Sequence, residues 1–199
     1  MNNTESFSPK NSRYEIRVAG LGGQGIILAG IILAEAAILD GCHVAQSQTY
    51  GAETRGGSAI SDVILSSIEI DYPRASRLDI LVALTQQAGD LNLSVMKPEG
   101  VVIVDAGAVH GLLGPKVASL HLQQIASEAG EERAINMAAL GAVAAFCPLL
   151  SPDSLVKAIT KRLPPAKLAA NLLAFNRALT LAKQVKKNLE PVKIEESEV

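Results

Sequence analysis

Six residues, Gly20-Leu21-Gly22-Gly23-Gln24-Gly25, constrain the fold of this chain more than any others. They follow Glu15-Ile16-Arg17-Val18-Ala19, which reads as a short strand, and lead into an apolar segment from about Gln24 to Asp40 that Gly41 stops. On a helix that segment puts Ile27, Ile31, Ala34, Ala37 and Ile38 on nearly every face, so the helix is expected to be buried. Gly20, Gly22 and Gly25 then fit the spacing G-x-G-x-x-G at a strand-to-helix turn. Glycine is needed there because a side chain would obstruct both the tight turn and the approach of an anion to free amides at the helix N-terminus. The spacing also suits a tight turn that binds nothing. A nicotinamide or flavin dinucleotide makes a further demand, an acid at the end of the second strand for the ribose, and this chain has Ala45-Gln46-Ser47-Gln48 there. Gly23-Gln24 adds a fourth glycine and a long amide inside the turn, and the absence of a following Gly-Lys-Ser/Thr excludes a Walker A loop.

The length, 199 residues, suits one compact domain with a substantial core. With 48% hydrophobic and 19% charged residues, extensive disorder is excluded and a buried parallel sheet or a large interface is favoured. Aromatic residues make up 3% and Trp is absent, which argues against stacking platforms for single-stranded nucleic acid and against a membrane aromatic belt. The formal net charge of -2 also argues against nucleic acid. No apolar stretch is long enough to span a bilayer, and the polar start from Met1 to Arg13 lacks the apolar core of a secretion signal, so a cytoplasmic location is expected. Cys42 and Cys147 lie far apart without a Cys-x-x-Cys companion and cannot by themselves ligate a four-cysteine cluster or a structural zinc; they read as buried small hydrophobes. His43, His110 and His121 show no metal-ligand spacing, and no metal site is expected.

Along the chain, residues 1–13 read as a flexible lead-in, 14–185 as one domain and 186–199 as a charged tail. Strands are expected at His43–Ser47, Ser58–Ser66, Asp79–Leu84 and Val101–Asp105, with Ile68-Glu69-Ile70 as a hairpin return for the second of these. Gln48 to Gly57 is expected as an exposed loop, and Lys97-Pro98-Glu99-Gly100 as the turn that ends a helix over Gln86–Met96. Helices follow at about Leu122–Ala129, Ala134–Phe146, Ser151–Arg162 and Pro165–Lys186, with Ser151-Pro152-Asp153 a start signal. The nearly all-apolar Ala134–Phe146 helix belongs in the core or against another subunit. The fold class is therefore α/β: a Rossmann-like, mainly parallel sheet flanked by helices, with an antiparallel hairpin element and a helical C-terminal part.

A second motif lies in the loop Gln46-Ser47-Gln48-Thr49-Tyr50-Gly51-Ala52-Glu53-Thr54-Arg55-Gly56-Gly57. Arg55 suits forked pairing with a phosphate or carboxylate, Glu53 could orient that Arg, and Gly56-Gly57 allow close backbone approach; a surface loop with a local Glu53 to Arg55 contact is the plainer alternative. Asn136 stands at the start of its apolar helix, either as a helix-start polar group, a satisfied core amide or a cofactor contact.

The two motifs together, with Leu28 to Ala37, Ser61-Asp62-Val63-Ile64, Ile70-Asp71-Tyr72-Pro73, Asp79 to Leu84 and Asn136-Met137-Ala138-Ala139-Leu140-Gly141, resemble the gamma subunit of 2-oxoacid:ferredoxin oxidoreductases from about Tyr14 to Ala182. The loop form resembles most the 2-oxoglutarate enzymes; pyruvate-type subunits tend to have Arg within the turn, where this chain has Leu21, and branched-chain and indolepyruvate relatives share the domain. The resemblance implies a complex that decarboxylates a 2-oxoacid on thiamine diphosphate, sends electrons through iron-sulfur clusters to ferredoxin and transfers the acyl group to coenzyme A. It implies alpha, beta and in some assemblies delta partners that carry thiamine diphosphate, magnesium and the clusters. This chain is expected to be inactive alone and to contact an anionic cofactor, coenzyme A first, through Gly20, Gly22, Gly23, Gln24, Gly25, Tyr50, Gly51, Glu53, Arg55, Gly56, Gly57 and Asn136. No catalytic residue is assigned. A stand-alone nucleotide-binding protein and a purely structural assembly module are the readings from other classes.

Overall fold

The structure, a computed structural model, describes residues 13–51, 57–114 and 116–189. Six strands form one sheet: β1 (Arg13–Leu21), β2 (His43–Tyr50), β3 (Ser58–Ser66), β4 (Leu78–Ala83), β5 (Met96–Asp105) and β6 (Val117–Leu120), in the order β2-β3-β1-β4-β5-β6. β1, β4, β5 and β6 run parallel, and β3 is antiparallel to both of its neighbours, β1 and β2. The chain thus leaves β1 toward one side of the sheet and, after β3, crosses to the other side. The gap between the ends of β1 and β4 is a switch point of the kind where α/β sheets receive ligands.

The helices are α1 (Ile26–Leu39), α2 (Gln86–Asn92), α3 (Leu122–Glu128), α4 (Ile135–Phe146), α5 (Pro152–Arg162) and α6 (Pro165–Leu189). The main core forms where one face of the sheet, carrying Ile16, Val18, Val63, Ile80 and Ile103, packs against α1 and α3 to α6. The other face, with Ala19, Leu81, Ala83 and Val104, is covered by the short α2 and the segment around Val109. Every residue of α4 is buried, so its apolar surface belongs to the core of this chain. Its closeness to α6 needs Gly141, where a Cβ would meet the Phe175 carbonyl.

Several expectations change. The antiparallel element is real, but it is β3 paired between β1 and β2; Ile68-Glu69-Ile70 forms no strand and lies in an irregular segment. β2 continues through Gln48, Thr49 and Tyr50, which pair with Ser61, Ile60 and Ala59. As a solvated edge strand it has polar side chains, which hid it as a loop. The Lys97 to Gly100 segment lies within β5, where the register slips from Leu78 opposite Met96 to Ile80 opposite Val101, so the turn residues are taken up as a bulge. β6 was not foreseen, being a four-residue edge strand. α6 runs on to Leu189, and Lys186 caps the Ala145 carbonyl at 2.9 Å.

At the start of β1, Glu15 is 3% exposed and organises the segment before β4. It accepts from Arg13 Nε at 2.6 Å, Ser76 N at 2.6 Å and Arg77 N at 2.9 Å. Burial pushes its carboxyl up, but the Arg13 side chain and the Arg77 and Ser76 amides together hold it below its ordinary value of 4.5. A depressed folded value means stability that is present above 4.5 and lost as pH falls through the folded value. Glu15→Gln is expected to destabilise the chain by about 1–3 kcal/mol at neutral pH. The gap between variant and parent should close on acidification in urea titrations run at several pH values.

Candidate functional site

The glycine turn is built largely by its own side chains and by two distant segments. Gln24 folds back so that its Oε1 accepts from the Leu21 amide at 2.7 Å, occupying the space a Cβ on Gly20 would need. The Gln24 amide donates to the Leu21 carbonyl at 3.2 Å, and the Gly22 amide donates to the Gly57 carbonyl at 2.9 Å. That last bond joins the two sequence motifs directly. Gly25 takes φ +73° as N-cap of α1, and a Cβ there would stand 2.8 Å from Asn136 Cγ. Asn136, 4% exposed, donates from Nδ2 to the Gly25 carbonyl at 3.2 Å while its Oδ1 accepts from Met137 N at 3.0 Å. Its amide therefore braces the turn from α4 as a satisfied core group.

What remains open at the turn and the start of α1 are the amides of Gly23, Gly25, Ile26, Ile27 and Leu28, for which no acceptor is found among the described residues. Gly23 has φ +95° and open space where a Cβ would be, so its backbone faces outward. No acidic side chain stands in the first turn of α1, so that turn supplies no carboxylate of its own to the positive end of the helix. The arrangement can take an anion at one edge of the turn, with three of its amides already engaged internally.

Tyr50 and Gly51 lie beside the turn. Tyr50, Ala59 and Gly20 form one row across three strands, with Tyr50 62% exposed, and the Gly51 amide donates to the Ser58 carbonyl at 2.7 Å. The structure thus brings together Gly20 to Gly25, Tyr50, Gly51, Gly57 and Asn136; Glu53, Arg55 and Gly56 lie outside the described residues.

Beside the turn, between α2 and the tips of β1 and β3, is a cavity of about 240 Å³ bounded by Gly20, Ser58, Ile60, Thr85, Leu91 and Asn92, among others. Sequence reasoning missed it because its walls come from three separate segments. One signal was available: Arg17 is a cation set between Ile16 and Val18 in the strand that leads to the turn. It forms a two-pronged pair with Asp62 at 2.6 and 2.7 Å and donates to Asn92 Oδ1 at 2.8 Å, while Asn92 Nδ2 donates to the Ala88 carbonyl at 2.7 Å. This network ties α2 to the sheet. Thr85 caps α2, its hydroxyl oxygen accepting from Ala88 N at 3.2 Å.

Neither cysteine is placed for cofactor chemistry. Cys147 is buried and its thiol is pushed up to about 12, chiefly by burial; Cys42 is half-buried rather than buried, its thiol raised by burial and by Asp40. Among the described residues no cluster of His, Cys, Asp and Glu has the makings of a metal site, and no helix is long and apolar enough to cross a membrane.

Fold and turn together define a Rossmann-like α/β domain with an anion-competent strand-helix turn at its switch point. The chain belongs to the pyruvate ferredoxin/flavodoxin oxidoreductase family, whose model matches residues 15–181. A relative, the 2-oxoglutarate synthase subunit KorC of Methanocaldococcus jannaschii, is 41% identical over 179 residues, spanning 87% of this chain and 96% of that one. The crystal structure of the keto/oxoacid ferredoxin oxidoreductase gamma subunit from Geobacter sulfurreducens PCA superposes with a TM-score of 0.76 at 40% identity, covering 85% of this chain and 98% of that one. The 2-oxoglutarate:ferredoxin oxidoreductase of Magnetococcus marinus, solved with 2-oxoglutarate, coenzyme A and succinyl-CoA bound, matches with a TM-score of 0.77 at 29% identity over 86% of this chain and 31% of that longer one.

Proposed function

We propose that this chain is the gamma subunit of a 2-oxoglutarate:ferredoxin oxidoreductase, which converts 2-oxoglutarate, coenzyme A and oxidised ferredoxin to succinyl-CoA, carbon dioxide and reduced ferredoxin. The observation that carries the reading is the nearly end-to-end match to a 2-oxoglutarate synthase subunit at 41% identity. Its partners are alpha and beta subunits, with delta in some assemblies, and these hold the thiamine diphosphate, magnesium and iron-sulfur clusters. Two distant cysteines, one with its thiol raised to about 12, suit no cluster, which supports that division of labour.

The residues present fit a contact with coenzyme A, whose thiol accepts the acyl group. The open amides of Gly23, Gly25, Ile26, Ile27 and Leu28 and the positive end of α1 suit its anionic half. We extend this reading to Arg55, whose guanidinium is of the type that pairs with phosphate, and to Glu53, Gly56 and Gly57 beside it in the sequence. Leu21, Tyr50 and Leu91, exposed by 39%, 62% and 68%, surround this end of the sheet and suit closure by a partner subunit.

Co-expression with alpha and beta subunits should give an iron-containing complex that reduces ferredoxin with 2-oxoglutarate in preference to pyruvate, whereas the chain alone is inactive. A preference for pyruvate or a branched-chain 2-oxoacid would overturn the substrate assignment, and tight NAD binding by the free chain would overturn the class. In the complex, Arg55→Ala is expected to raise the KM for coenzyme A about tenfold, corresponding to roughly 1.4 kcal/mol of lost binding. An unchanged KM and turnover would reduce the loop to scaffolding.

A further inference from the structure

We propose that a groove at the opposite end of the sheet from the glycine turn is closed by the chain's own acidic segment, residues 190–199. The groove, of about 370 Å³, lies where β1 and β4 begin, along the first half of β5, and where α4 and α6 end. Tyr14, Val101, Phe146, Pro148 and Leu189 give it apolar walls. Three lysines also line it. Lys97 pairs with Asp79 at 2.6 Å and Lys116 with Glu99 at 2.9 Å, so both of those charges are answered. Lys186 differs from them. It is half-buried, donates to the Ala145 carbonyl at 2.9 Å, lies 5.9 Å from the centre of the Phe146 ring and has no carboxylate partner among the described residues. The Tyr14 hydroxyl also has no hydrogen-bond partner among the described residues, and burial pushes its pKa up, so it stays a donor. An apolar groove with two donors left to satisfy calls for aliphatic groups and a carboxylate together.

Two stretches of sequence adjoin the groove, one just before Arg13 and one just after Leu189. Residues 1–12 carry one acid, Glu5, and one base, Lys10. Residues 190–199 carry Glu190, Glu195, Glu196 and Glu198 against Lys193 alone. Only the second stretch complements an unanswered lysine. Pro191 cannot continue a helix and disfavours helical backbone at Glu190, so the sequence turns the chain away from α6 beside Leu189, itself a wall of the groove. Side chains alternate along an extended segment, which puts Glu190, Val192, Ile194, Glu196 and Glu198 on one side and Lys193 and Glu195 on the other. The first side holds the combination that the groove calls for. Glu190, four residues after Lys186, meets that ammonium, Val192 and Ile194 cover the apolar walls, and Glu196 and Glu198 fall toward the rim that carries Lys116. Residues 190–196 extend over about 23 Å, more than a groove of this volume requires.

The chain contains no Trp, so Ile194→Trp in the otherwise unchanged full chain reports on this segment alone. Its fluorescence is expected to be shielded from acrylamide in the folded chain and open to it in urea. Lys186→Met and Glu190→Gln, made separately on that background, should each lower the ratio of docked to undocked segment about tenfold, the loss of one charge-assisted hydrogen bond. Glu195→Gln, on the outward side, should leave it within about twofold. Glu190→Gln alters no residue of the described fold, so it keeps the test decisive should Lys186→Met fail to fold. Trypsin cleavage after Lys193 gives a second reading with Ile194 in place, expected to be about tenfold faster in Glu190→Gln than in the parent. A Trp as open to acrylamide in the folded chain as in urea, with cleavage equal in parent and variant, would overturn the proposal. Shielding that neither variant reduces would place the segment elsewhere, and shielding that grows with protein concentration would seat it on a second copy; either result also overturns it.

Discussion

Replacing Arg17 with Met is expected to destabilise the chain by about 3–5 kcal/mol, the usual consequence of leaving a buried partner charge uncompensated. The Asp62 side chain is 13% exposed and receives two of the three Arg17 hydrogen bonds; Asn92, 5% exposed, receives the third. For a chain of this size the loss corresponds to a fall in melting temperature of about 6–20 °C, measurable by calorimetry on the free subunit. The decisive comparison is the double variant Arg17→Met, Asp62→Leu, which removes both charges and should recover most of the loss. A single variant as stable as the parent, or a double variant no better than the single, would mean that an uncompensated Asp62 charge is not the source of the loss.

Gly25→Ala carries the second large effect. At φ +73° an L-residue costs about 1–2 kcal/mol, and the new methyl also runs into the Asn136 side chain, a clash worth about 1–3 kcal/mol more. The sum, about 2–5 kcal/mol, should appear in urea denaturation of the subunit. Gly23→Ala supplies the contrast: its φ of +95° brings the backbone cost, but nothing lies within 4 Å of the added methyl. It should lose only about 1–2 kcal/mol. Equal losses in the two variants would show that the Asn136 contact does not matter.

The contrast separates two reasons for glycine that the spacing alone could not distinguish. Gly20 and Gly25 are required by the protein itself, because Gln24 and Asn136 fill the space beside them. Gly23 has open space at the same place and is the position best suited to an approaching ligand. In the same way Gly30 in α1 lets the helix settle against Ser61 of β3, a packing need that a strand-helix motif does not announce.

Much of the architecture was legible locally. The run before Gly20, the stop at Gly41, and the Ser151-Pro152 start of α5, where Ser151 Oγ accepts from Ser154 N at 3.1 Å, all follow from backbone preferences of neighbouring residues. The helices after Leu120 fell within a few residues of their observed ends for the same reason. Two readings failed where a distant partner overrode local preference: β2, expected over His43–Ser47, runs on to Tyr50 because β3 pairs with it, and Pro98 sits in a bulge because β4 holds the register on both sides.

The site divides along the same line. The amino-acid sequence determined the glycine turn, the polar loop that ends at Gly57, and the absence of the acid a dinucleotide would need. Tertiary structure alone decided that Gly57 closes onto Gly22, that Asn136 reaches Gly25 from 111 residues away, and that Arg17, Asp62 and Asn92 hold a neutral cavity beside them. The physical reason is range. Backbone torsions and hydrophobic periodicity are set by adjacent residues, whereas these contacts depend on β3 lying between β1 and β2 and on α2 and α4 packing to opposite faces of the sheet.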